Sequence, residues 1–179
     1  MFENVRADMR MYDTEGGWHA HLGFFITATY RFGHWARKLR ARPLRLGARA
    51  AHAALASPWR LFRCVYLPAA AELGPGLRLI HPQSILIAPT TRIGARCSLY
   101  QEVTLGSGPV PGSPRVGDDV MIFPGARLLG GITVGARVHV GANAVVARDV
   151  PDGATVAPQP AQIMPERMVD LVRRTAARP

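Results

Sequence analysis

VGDDVM IFPGAR LLGGIT VGARVH VGANAV, residues 116–145, divides into six-residue steps that each open on an aliphatic residue: Val116, Ile122, Leu128, Val134 and Val140. The same period runs outward in both directions. It includes Val146 after the quoted stretch and Leu67, Leu73, Leu79, Ile87, Ile93, Leu99 and Leu105 before it, so all thirteen leading positions are Leu, Ile or Val. A fixed short period is the mark of a repeat architecture, in which each step buries its apolar side chain only by stacking on its neighbours. The fifth position of the step is small or aliphatic in the same way, as at Ala71, Leu77, Cys97, Val103, Val120, Ala126, Ile132, Val138 and Ala144. The second is often glycine, at Gly74, Gly94, Gly106, Gly117, Gly135 and Gly141. We read these glycines as corner residues that accept backbone angles closed to β-branched side chains. Each step is then a short strand and a tight corner, and three steps close one turn of a β-helix with a narrow apolar interior. No stretch of residues 67–150 is long enough for the crossover helices of an alternating α/β sheet.

Two places break the period. Residues 79–86, Leu-Ile-His-Pro-Gln-Ser-Ile-Leu, hold two residues too many, and 107–115 is an excursion rich in Gly, Pro and Ser. A solenoid places its function where the repeat is interrupted, and the first of these breaks contains His81.

The first 64 residues follow another period. Phe2–Met11 has helical spacing, and residues 21–40 place Leu22, Phe25, Phe32, Trp35 and Leu39 on one stripe of an amphipathic helix. Trp18 and Trp35 are read as packing residues. A further helix is expected over residues 44–56, ending before Pro58, and a short terminal helix over 166–176. The expected organisation is therefore α+β: helices over 1–64, the β-helix over 65–158, and an extended segment with a helix over 159–179.

Charge is distributed unevenly. The net charge is +10, yet nine basic residues lie between Arg31 and Arg63 and no acid stands from Gly16 to Ala71. Such a block faces solvent, anionic lipid or a polyanion. No zinc-finger spacing or RNA-binding aromatic motif accompanies it, so specific nucleic-acid binding is not expected. Cys64 and Cys97 have no ligand spacing and are read as small buried thiols; no metal site is expected. Glu3, Arg6, Asp8 and Arg10 occupy the place of a secretory leader's apolar core, so a cytoplasmic protein is expected, touching the inner membrane surface through the basic 31–63 region.

Several stretches carry a family resemblance. They are Gly74-Pro75-Gly76 leading to His81, Gln101-Glu102-Val103-Thr104-Leu105-Gly106, Gly125-Ala126, Gly130-Gly131-Ile132, Gly141-Ala142-Asn143-Ala144-Val145-Val146 and Asp149-Val150-Pro151. Over residues 65–161 the chain resembles the serine acetyltransferases and related O-acetyltransferases. The resemblance implies a left-handed parallel β-helix, assembly as a homotrimer with sites between subunits, and acetyl-CoA as acyl donor. It places the catalytic base at His81, whose neutral imidazole suits proton transfer near neutral pH. Backbone N–H groups of the coils or of the 107–115 excursion would hold the oxyanion. Gly106, Ser107, Pro124, Gly125, Ala142 and Arg148 are the positions implied for coenzyme A. His139 and the histidines of the helical half are read as structural.

The chain departs from that family where the acceptor is bound. Tyr66 and Ile80 stand in place of two aspartates near the histidine. Gly112-Ser113 replaces an Arg-His pair that helps hold the carboxylate of serine. Loss of a bidentate cation weakens carboxylate recognition, so the expected acceptor is a sugar hydroxyl of an exopolysaccharide unit. The alternatives are L-serine as acceptor, in cysteine biosynthesis, and a scaffold without catalysis.

Overall fold

The computed structural model describes residues 1–13 and 17–159; the terminal helix expected over 166–176 lies outside the described residues. All strand pairing is parallel and forms three faces. One stacks β1 (Glu72–Leu73), β4 (Arg92–Ile93), β7 (Arg115–Val116) and β10 (Thr133–Val134). The second stacks β2 (Arg78–Leu79), β5 (Ser98–Leu99), β8 (Met121–Ile122), β11 (His139–Val140) and β13 (Thr155–Val156). The third stacks β3 (Leu86–Ile87), β6 (Thr104–Gly106), β9 (Arg127–Leu129) and β12 (Val145–Val146). Arg115 pairs with Thr133, a register of 18 residues or three steps per turn. The offset grows to 20 where Glu72 meets Arg92 and to 23 where Arg92 meets Arg115, as the two interruptions require.

All thirteen leading positions are buried, as are the fifth-position residues named above. Thr91 occupies a fifth position too, fully buried with its hydroxyl unpartnered. The second-position glycines have another cause than the one expected. None of the six has a positive φ; the left-handed corners fall on Arg96, Glu102, Asp119, Arg137 and Asn143, and on Gly76, Gly125 and Gly153. A Cβ on Gly117 would instead meet the Ala136 nitrogen of the next coil at 2.7 Å. Coil stacking, not backbone freedom, selects glycine there.

The helical half consists of α1 (Phe2–Met11), a 3-10 turn (Trp18–Ala20), α2 (Leu22–Ala36) and α3 (Arg42–Arg63). Two expectations need correction. First, α3 does not stop at Pro58. Proline removes the N–H that would bond the Ala54 carbonyl, and the Ser57 hydroxyl donates to that oxygen at 2.8 Å instead. Second, α2 buries the face opposite the expected stripe. Phe25 and Trp35 are exposed, while Gly23, Phe24, Ile26, Thr27, Tyr30, Arg31 and Gly33 are buried.

The reason lies in what α2 covers. The first coil of a parallel solenoid has no coil above it, so its N–H and C=O groups lack ladder partners. Side chains of α1 and α2 supply them. The Tyr30 hydroxyl accepts from the Leu73 N–H at 3.1 Å and donates to the Ala71 carbonyl at 2.7 Å. Asp8 accepts from the Leu77 N–H at 2.9 Å, and the Tyr12 hydroxyl from the Leu79 N–H at 2.6 Å. Arg31 donates to the Leu73 and Gly74 carbonyls and forms a two-pronged pair with Asp8 at 2.8 and 2.9 Å. Burial, partly offset by the Leu79 bond, pushes the Tyr12 phenol up to about 12, so it stays protonated. Arg31 is therefore no part of an exposed basic block: its side chain is 4% exposed. The cysteine expectation also divides, since Cys97 is buried in the solenoid and Cys64 is exposed. No described helix is long and apolar enough to cross a membrane.

His34 and His52 join the helices to this assembly. The His34 Nδ1 lies 3.1 Å from the Ala69 carbonyl, and the His52 ring packs on Gly33. Burial lowers both pKa values, aided by Lys38, Arg31 and Arg37 around His34 and by Arg60 near His52. A histidine depressed in the folded state stabilises it above the unfolded value, near 6.5, and loses that contribution as pH falls below it. The melting temperature is expected to fall between pH 7 and pH 5.5, and less steeply in His52→Gln. Calorimetry across that window checks this; a flat profile would contradict it.

Candidate active site

The extra residues of the first interruption form the corner between β2 and β3. There His81 and Ser84 both adopt left-handed backbone angles, φ +50 and +52. Such a conformation costs a residue with a Cβ about 1 kcal/mol and is retained where the fold over-determines it. Here the Ser84 N–H donates to the Arg63 carbonyl at 2.8 Å and the Glu102 N–H to the Gln83 carbonyl at 2.8 Å, clamping the corner from both sides. The His81 side chain is exposed.

His81 borders a cleft of about 560 Å³ between the helical half and the first coil. Tyr12, His21 and Arg63 enter it from the helices, and Arg78, Ile80 and Gln83 from the coil. Gly23 lets α2 approach closely, since a Cβ there would collide with the Leu79 carbonyl oxygen. Among the described residues that line the cleft none is acidic. Neither departure from the family pattern supplies a carboxylate: Ile80 lines the cleft, and the Tyr66 ring lies under the Arg60 guanidinium, 5.0 Å from its centroid.

The residues named for coenzyme A fall on two corners. Pro124, Gly125 and Ala142 share the corner of His81: the Gly125 N–H donates to the Gln101 carbonyl at 3.1 Å, and the Asn143 N–H to that of Pro124 at 2.8 Å. Gly125 has φ +72, and a Cβ there would collide with the Asn143 amide oxygen, so glycine is required. Gly106, Ser107 and Arg148 sit on the next corner, across the face of β3, β6, β9 and β12. Arg148 lines a separate cleft of about 650 Å³ at the last coil, which contains none of the residues around His81. Within one chain the structure thus places His81, Pro124, Gly125 and Ala142 along one corner on different coils, and the other three on the next.

The 107–115 excursion folds back on its own corner. The Gly131 N–H donates to the Val110 carbonyl at 3.0 Å, and the Ser113 and Thr90 hydroxyls are 2.7 Å apart. It does not line the His81 cleft, so within a single chain it offers no oxyanion donors there. Residue reasoning missed Tyr12, His21, Arg63 and Arg78. Only Arg78 left a signal, since it lies between the inward positions Leu77 and Leu79 and so points outward.

Residues 113–148 match the family described as bacterial transferase hexapeptide (six repeats). A serine acetyltransferase of Staphylococcus xylosus is 40% identical over 108 residues, covering 59% of this chain and 50% of that protein. Serine acetyltransferase of Brucella abortus in complex with coenzyme A superposes with a TM-score of 0.73 at 30% identity, covering 89% of this chain and 66% of that one. The Neisseria gonorrhoeae serine acetyltransferase in complex with serine gives 0.73 at 29% identity, with 90% and 68% covered. The chain spans about half the length of the curated relatives it matches. These relatives are named for serine, and none is named for the sugar or exopolysaccharide unit expected from the residues.

Proposed function

This chain is a hexapeptide-repeat protein related to the serine acetyltransferases, and on that premise we propose that it is an acetyl-CoA-dependent O-acetyltransferase whose acceptor is L-serine. The observation that carries this reading is His81, exposed on a cleft at a break in the repeat, in a clamped left-handed corner. Its neutral imidazole takes the proton of the acceptor hydroxyl as that oxygen attacks the thioester carbonyl. The C–S bond then breaks, and the imidazolium returns the proton to the departing thiolate. The products are the O-acetyl ester and free coenzyme A. Pro124, Gly125 and Ala142 line the path by which the pantetheine arm reaches the corner, where the absence of a Cβ at Gly125 lets it approach the main chain. The working assembly in this reading is a homotrimer, with the exposed Leu86 and Val145 of the third face at the subunit contact.

The test is thiol release from acetyl-CoA by the purified protein, its assembly state measured by light scattering. L-serine, nucleotide sugars and glycan fragments are supplied separately. Turnover is expected with L-serine and not with the sugars. Turnover with a sugar alone would return the acceptor to the exopolysaccharide class.

A further inference from the structure

Resting on the reading of His81 as the base, we infer that Arg63 and Arg78 form an anion-binding pair in the acceptor cleft, in place of cations the 112–113 segment does not supply. The acceptor therefore carries a carboxylate or a phosphate close to the hydroxyl that is acetylated.

The argument begins with where counter-charges lie. Four arginines of the described chain are paired: Arg31 with Asp8, Arg92 with Glu72, Arg96 with Asp119 and Arg137 with Asp152. Arg63 and Arg78 have no ion-pair partner among the described residues, and both line a cleft to which no described acidic residue contributes. Two uncompensated guanidiniums in one cavity repel each other, and an anion relieves that repulsion.

Their backbone placement is also fixed. Arg78 is the first residue of β2, with Leu79 turned into the core beside it at 2% exposure. It stands three residues before His81 on the same coil edge. Arg63 ends α3, and its carbonyl holds the Ser84 N–H just beyond His81. The two residues thus join the corner on either side of His81, Arg78 before it on the coil and Arg63 after it through the Ser84 bond, and both line its cleft. Gly112 and Ser113 carry no charge and lie on another corner, held against Thr90 and Gly131. A guanidinium donates two parallel N–H bonds to a carboxylate or phosphate, which fixes the orientation of the acceptor as well as its affinity.

Kinetics and binding test this together. In Arg78→Met and Arg63→Met, kcat and KM are measured with L-serine and L-serinamide, and with sn-glycerol 3-phosphate and glycerol. The KM for the anionic acceptor should rise about tenfold to a hundredfold while its kcat changes only a few-fold. The ratio of kcat/KM between each anionic acceptor and its neutral partner should fall by a similar factor. The serine and phosphate arms identify which anion the cleft takes. Separately, inorganic phosphate is titrated into the wild-type protein and each variant while the His81 ring is followed by NMR. Phosphate should shift the wild-type signal and leave that of Arg78→Met unmoved. Because this readout needs no turnover, it tests the pair even if acetyl transfer is absent. An unchanged anionic-to-neutral ratio, a loss confined to kcat, or an equal phosphate response in the variants would each overturn the inference.

Discussion

His81→Ala is expected to lower turnover with L-serine about a hundredfold to ten-thousandfold while leaving the fold intact, the range over which a positioned acid–base group contributes to a rate. Removing the imidazole leaves water to take the hydroxyl proton, and no carboxylate among the described lining residues stands by to replace it. The loss should appear in kcat and kcat/KM alike, since proton transfer belongs to the transition state and not to acceptor binding. His81→Asn gives a second comparison. Asparagine tolerates the left-handed backbone better than alanine, so equal losses in both variants assign the effect to the base and not to strain in the corner. The melting temperature and circular dichroism of each variant should match the parent. Turnover within a few-fold of wild type would remove His81 from the mechanism.

The second large effect is on stability. Asp8→Ala leaves Arg31 buried at 4% exposure without its counter-charge, and leaves the Leu77 N–H without an acceptor. Breaking one side of a buried pair costs about 3–5 kcal/mol, and the lost acceptor adds to this in the same direction. For a chain of this size that corresponds to a fall in melting temperature of roughly 10 °C. Asp8→Asn retains an oxygen for the Leu77 N–H and should lose less. Replacing both partners, as Asp8→Leu with Arg31→Met, removes the unpaired charge and should recover part of the stability, although the Leu73 and Gly74 carbonyls lose their donor. Calorimetry on the three variants separates these contributions. A shift under 1 °C in Asp8→Ala would mean that the cap contributes nothing measurable.

Much of this protein is determined by its sequence alone. The six-residue period is a local property: each strand is two or three residues long and its burial depends on the residue one turn away, so Leu, Ile and Val at every sixth position dictate the coil, its interior and the two breaks. The break that holds His81 was legible because an interruption of a strict period is visible without coordinates, while the role expected of that histidine came from the family resemblance. Tertiary structure decided which face of α2 is buried, because the first coil needs donors and acceptors rather than apolar bulk. Hydropathy therefore chose Phe25 and Trp35 where the fold uses Tyr30, Arg31 and two glycines. Arg31 looked like one more member of a basic block until its partner, 23 positions earlier in the chain, closed on it. The cleft around His81 was hidden for the same reason. Tyr12, His21 and Arg63 reach it only through the docking of helices onto a strand edge, a long-range contact with no periodic trace in the chain.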